Sequence, residues 1–143
     1  MANAMTATVV DKGTVNVTFN NVGGMAYAYA FQQTAGDTSV TISNPTTMPK
    51  GSTIKGLPNT GGKLTFLPNM YALIALEKDA VYTIKLTSWN GLIDQNKILT
   101  SVVDTEVGNT AYSSTCVITC EDSSDNDYND LTLIITWYKH KEI

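Results

Sequence analysis

The chain has 143 residues, 43% of them apolar and only 15% charged, with a formal net charge of −4. That length suits one domain spanning residues 1–143 with a sizeable core. The absence of any general basic patch argues against nucleic-acid binding, and no run of about 18 to 20 apolar residues exists to insert into a bilayer.

In chain order, the N-terminal stretch MANAMTATVVDKG lacks the charged and long apolar regions of a signal peptide. Cytosolic synthesis is therefore expected, with later release or surface display left open. Beyond it, period-two alternation dominates. Val15, Val17 and Phe19 alternate with Asn16, Thr18 and Asn20. Met25, Tyr27, Tyr29 and Phe31 alternate with Ala26, Ala28 and Ala30, giving one bulky face and one small face. For the Tyr27/Tyr29 pair and for Trp89, core packing is the simpler expectation, with stacking on a sugar ring the rival. Val40 to Ile42 and Leu64 to Leu67 are short strand candidates. Met70 to Lys78 could pass for a helix, but Pro68-Asn69 and Asp79 on either side favour a buried strand.

Further along, Tyr82, Ile84 and Leu86 alternate with Thr83, Lys85 and Thr87. Asn90-Gly91 reads as a hairpin turn. Ile98 to Val103 and Thr115 to Cys120 follow as strands, and Leu131, Leu133, Ile135 and Trp137 form one face of the last strand. Turn residues separate the runs at Asn21 to Gly24, Ala35 to Asp37, Asn44 to Gly51, Pro58 to Gly62 and Gly108-Asn109. Many short strands at this spacing predict an all-β fold, an antiparallel β-sandwich of Greek-key or jelly-roll type.

Cys116 and Cys120 on one strand would sit about 13 Å apart, too far for a disulfide, so both are expected as reduced, buried thiols. His140 is the sole histidine. With no second pair of thiols it cannot build a zinc site. With no nucleophile beside it, it does not suggest catalysis either. The chain reads as a non-enzyme.

The run EDSSDNDYND, residues 121 to 130, holds five of the thirteen acidic residues: Glu121, Asp122, Asp125, Asp127 and Asp130. Without them the chain would carry a charge near +1. Two like charges 4 Å apart repel by roughly 4 kcal/mol at an effective dielectric near 20, so a counter-ion is expected. An EF-hand does not fit: Asp130 stands where that loop needs Gly, and Thr136 where it needs a bidentate Glu. Hard carboxylate and amide oxygens from Glu121, Asp125, Asp127, Asn129 and Asp130 suit Ca²⁺ in a loop between strands. Five carboxylates exceed the need of one ion, and two Ca²⁺ would bring the formal charge to zero.

This ten-residue run, with Trp137 ending the strand that follows, resembles the soluble two-calcium fucose/mannose-binding lectins of Gram-negative bacteria. A weaker likeness covers Val17-Thr18-Phe19 through Asn21 to Gly24. The resemblance implies a β-sandwich in which Glu121, Asp125, Asp127 and Asp130 surround one calcium ion and Asn21, Asp127, Asn129 and Asp130 the other. Both ions would bind hydroxyls of one monosaccharide. Asp122 would accept a hydrogen bond from that sugar, and Val22, Gly23 and Gly24 would line it together with Asp125, Asp127, Asn129 and Asp130. The expected function is thus a calcium-dependent lectin for fucose- or mannose-containing glycans, gaining avidity as a homo-oligomer. The alternative is a calcium-stabilised structural or self-assembling sandwich without sugar binding. A glycosidase ranks below both, because its catalytic carboxylates should not be consumed by metal ligation.

Overall fold

The computed structural model describes residues 4–20, 24–32, 38–43, 53–57, 65–76, 81–88, 91–121, 128 and 130–139. Within them the chain forms β1 (Met5–Asp11), β2 (Thr14–Phe19), β3 (Gly24–Gln32), β4 (Thr38–Ser43), β5 (Thr53–Leu57), β6 (Thr65–Leu76), β7 (Val81–Ser88), β8 (Gly91–Leu92), β9 (Ile98–Val107), β10 (Thr110–Cys120) and β11 (Leu131–Tyr138). One 3-10 turn, Gln95–Lys97, precedes β9, and Asp94 caps it by accepting from the Asn96 amide. Every strand pair is antiparallel. One sheet runs β1-β2-β7-β4-β5, with β8 extending it beside β7; the other runs β6-β3-β11-β10-β9. The predicted antiparallel sandwich is the observed fold. No helix among the described residues is long and apolar enough to cross a membrane.

The inner faces follow from the alternation. Val15, Val17 and Phe19 of β2 are buried, as are Tyr82, Ile84 and Leu86 of β7 and Val40 and Ile42 of β4. Phe19 meets Tyr82 edge to face, with ring centroids 5.5 Å apart, an arrangement that adds roughly 0.5–1.5 kcal/mol beyond area burial. From the opposite sheet come Cys116, Ile118 and Cys120 of β10 and Leu131, Leu133, Ile135 and Trp137 of β11.

The structure corrects the reading of β3. Its small side turns inward, with Ala26, Ala28 and Ala30 buried, while Tyr27 is 46% exposed and Tyr29 half-buried on the outer face. The register supplies the reason. Ala26 faces Trp137, Ala28 faces Ile135, and Ala30 faces Leu133 on the adjacent strand. Bulky residues on both strands would overfill that layer, and overpacking commonly costs 1–3 kcal/mol. Trp89 lies outside the described residues.

Three other expectations shift. Met70 to Lys78 is not separate from the preceding candidate: β6 runs unbroken from Thr65 to Leu76. Its pairing with β3 jumps from Phe31↔Phe66 to Tyr29↔Tyr71, a bulge that absorbs Pro68 and Asn69. An edge strand tolerates this, because proline's missing N–H need not serve a second neighbour. Strands β1 and β5 escaped the sequence reading. In β1 the sequence MTATVVD gives only a weak alternation, although Met5 is fully buried.

Gly13 ties the β1–β2 turn to β8. Its amide donates to the Ile93 carbonyl at 2.6 Å, and its carbonyl accepts from the Leu86 amide at 2.8 Å. A Cβ here would lie 2.7 Å from the Leu86 carbonyl oxygen, on a backbone at φ +59°. Gly108, in the β9–β10 turn, has φ +60° but open space around it. Gly13→Ala should therefore cost clearly more in urea unfolding than Gly108→Ala, which meets only the left-handed penalty of about 1–2 kcal/mol.

Both thiols are free and buried, as expected. Burial pushes Cys116 from 9.0 up to about 12. A thiol that ionises less readily when folded supports the fold fully below pH 9, and that support fades as pH climbs towards 12. Ellman's reagent at pH 8 should leave the native thiols unmodified and react with both in denaturant. The unfolding midpoint should begin to fall above about pH 9.

Candidate functional site

The acidic run occupies the connection between β10 and β11. These strands pair from Ser113↔Tyr138 to Cys120↔Leu131, so Glu121 and Asp130 stand at the next rung, where the hairpin opens into its loop. This pair of strands is interior to its sheet, with β9 on one flank and β3 on the other. The loop therefore rises from the most restrained part of that sheet.

Both stem carboxylates are buried. Glu121 is fully inaccessible and Asp130 is 5% exposed. The Glu121 amide donates to the Lys97 carbonyl at 3.1 Å, which ties the stem to the 3-10 turn. From across the loop the Tyr128 amide donates to Glu121 Oε2 at 3.4 Å. Tyr128 has φ +55°, an uncommon conformation for an aromatic residue, which costs roughly 1–2 kcal/mol and bends the chain sharply inside the acidic run. Two sequestered carboxylates held so close in sequence and space are costly unless cations or donors compensate them. Beside Glu121 opens a cleft of about 230 Å³ lined by Lys12, Ser88, Leu92, Ile93, Asp94 and Lys97.

Asp122, Asp125, Asp127 and Asn129 lie outside the described residues. Among the described residues no three acidic, histidine or cysteine side chains converge. The donor chemistry fits Ca²⁺: Glu121 and Asp130 offer hard oxygens at the two ends of a loop that contains three further carboxylates.

Of the second predicted segment, Asn20 and Gly24 are described at its far end. Gly24 opens β3, which runs antiparallel to β11; Gln32, at the far end of β3, pairs with Leu131 beside the acidic loop. Gly24 lies beyond the Ala26↔Trp137 pair, at the other end of the strand, more than about 20 Å from Asp130 at the usual rise per residue. Asn20 sits at that same distant end. Its amide donates to the Ala4 carbonyl, and the Ala4 amide donates to Asp104, which pairs with Ser114 far from Glu121. Asn21, Val22 and Gly23 lie outside the described residues. The expected calcium role of Asn21 and the expected sugar contacts of Val22 and Gly23 fall on those positions. What β3 delivers to the acidic end is Gln32, and the loop pattern alone gave no sign of it.

No protein-family model matches the chain, and no curated protein does. Solved structures do share its fold. The C-terminal domain of the BC2L-C lectin from Burkholderia cenocepacia is similar with a TM-score of 0.61 and 14% identity, over 94% of this chain and 100% of that one. The Chromobacterium violaceum lectin CV2L, solved with α-methyl-fucoside, gives a TM-score of 0.58 at 15% identity, over 92% of this chain and 100% of its own. A high-affinity mannose-binding lectin from Ralstonia solanacearum gives the same values. The fold is thus that of bacterial lectin domains.

Calcium titration tests the role of the buried stem carboxylates. Glu121→Ala should lose roughly tenfold or more in calcium affinity, about 1.4 kcal/mol per decade.

Proposed function

We propose that this protein is a non-enzymatic, calcium-dependent lectin, one domain over residues 1–143, that takes up two Ca²⁺ ions in the β10–β11 loop. The observation that carries the reading is the pair of buried carboxylates, Glu121 and Asp130, bracketing the acidic run at the open end of the central hairpin. The likeness of the fold to bacterial lectins supports it. In this reading Glu121, Asp125, Asp127, Asn129 and Asp130 hold the ions. The ions take vicinal ring hydroxyls of a fucose- or mannose-type sugar as further ligands, and Asp122 accepts a hydrogen bond from the same sugar.

Vicinal hydroxyls are poor ligands in water, but hard dications fixed in advance can replace their hydration geometrically. Sugars without a matching pair of hydroxyls would be rejected. Residues beyond the acidic run would supply any further contacts, and Gln32 marks where β3 brings the chain to that end. A single-sugar site is weak, so a homo-oligomer would gain by avidity on clustered glycans.

Removing calcium should lower the melting temperature, since each ion at a hundredfold excess over its Kd contributes about 2.7 kcal/mol to the folded state. Equal melting curves with calcium and with excess chelator would refute the metal reading. A glycan array with and without chelator, followed by calorimetry, tests the sugar. Asp127→Ala and Asp130→Ala should abolish sugar binding. Asp122→Ala should weaken it by about two- to tenfold, the worth of one hydrogen bond, while calcium affinity stays. Calcium uptake without binding of any monosaccharide would instead identify a calcium-stabilised structural protein.

A further inference from the structure

The cleft beside Glu121 draws its walls from separate parts of the chain. Lys12 comes from the β1–β2 turn, Ser88 from the end of β7, Leu92 from β8, and Asp94 and Lys97 from the 3-10 turn and its cap. Backbone hydrogen bonds lock these parts together. The Gly13 amide, next to Lys12, donates to the Ile93 carbonyl at 2.6 Å, and the Glu121 amide to the Lys97 carbonyl at 3.1 Å. The Ser88 hydroxyl donates to the Gly91 carbonyl at 3.3 Å across the β7–β8 turn. A ligand entering here therefore spends little binding energy on ordering the walls. The cleft has a volume of about 230 Å³. Clefts for drug-sized molecules run roughly 300–1,000 Å³, so this one suits a single small unit.

The lining is charged, and its charges are unequally engaged. Asp94 Oδ1 accepts from the Asn96 amide at 2.8 Å, and Glu121 Oε2 accepts from the Tyr128 amide at 3.4 Å. With both carboxylates turned to backbone donors, the ammonium groups of Lys12 and Lys97 set the sign of the field in the cleft. Leu92, 40% exposed, adds an apolar surface of the kind that receives the C–H face of a sugar ring. We infer that this cleft binds an acidic saccharide unit, one carrying a carboxylate or a sulfate. Lys12 and Lys97 hold the anionic group, Asp94 accepts from a ring hydroxyl, and Leu92 carries the ring.

The inference rests on the calcium-lectin reading for the glycan to which that unit belongs. Glu121 borders both the cleft and the acidic run, so the sugar on the ions and the acidic unit in the cleft would be neighbours in one glycan. Charge couples the two sites. Without metal, five carboxylates beside the cleft repel an anion. Two Ca²⁺ would cancel the net charge of −4, and the loaded protein then admits acidic glycans.

Calorimetry on the full chain in calcium compares a fucose- or mannose-terminated oligosaccharide with its uronate- or sulfate-bearing counterpart. The acidic glycan should bind the parent protein roughly three- to tenfold more tightly, an advantage that shrinks at high salt. Lys12→Gln and Lys97→Gln should each lose most of that advantage while binding the neutral glycan as the parent does. No preference in the parent, or a preference that survives in the double variant, would overturn the inference. Failure of both glycans to bind would count against the lectin reading alone, and a second measurement then judges the cleft. In it, sodium glucuronate is added to the calcium-loaded chain while the amide resonances of Lys12, Ile93, Asp94 and Lys97 are followed. Shifts that vanish in the double variant support the cleft, and unshifted resonances overturn it. Equal shifts with inorganic sulfate at the same concentration would overturn the saccharide assignment, since the ring would then contribute nothing.

Discussion

The fit between β3 and β11 sets the geometry on which the rest of this protein depends. Leu133, Ile135 and Trp137 occupy the inner layer only because Ala30, Ala28 and Ala26 stand beside them and leave the room. A sandwich keeps its sheets about 10 Å apart, so each layer must share its volume between neighbours. Here one strand takes nearly all of it. The aromatic residues of β3 are displaced to the outer face as a result, where Tyr29 and Phe31 pack edge to face with each other.

That layer anchors the hairpin carrying the acidic loop. With β9 and β3 on its flanks and its own inner face filled by Cys116, Ile118, Cys120, Leu131 and Leu133, the β10–β11 pair has little freedom to shift register. A one-residue slip would turn an apolar set to solvent. Glu121 and Asp130 are therefore held opposite one another at a fixed depth, out of contact with water. Such burial has an energetic cost, and the proposed calcium ions are what would offset it. The preorganisation matters as much as the charge, because a metal that must order its own ligands spends binding energy doing so.

The two edges of the molecule are treated differently. On the β6 edge, Pro68 and a bulge interrupt regular pairing. On the β9 edge, the pairing with β10 carries one register shift, between Ala111 and Ser113.

Much of this architecture was legible in the sequence. Strict alternation in β2, β7 and β11 determined which of their residues face inward, because a strand's side chains can only alternate and apolar burial selects the side. The clustering of five carboxylates in ten residues marked the candidate site, since electrostatic repulsion at that density is local and needs no fold to be recognised. Two things were decided by the tertiary structure alone. Which face of β3 turns inward depends on the volume its neighbour already fills, and β3's own alternation is equally consistent with either choice. The continuity of β6 through Pro68 depends on its being an edge strand, a property of sheet order.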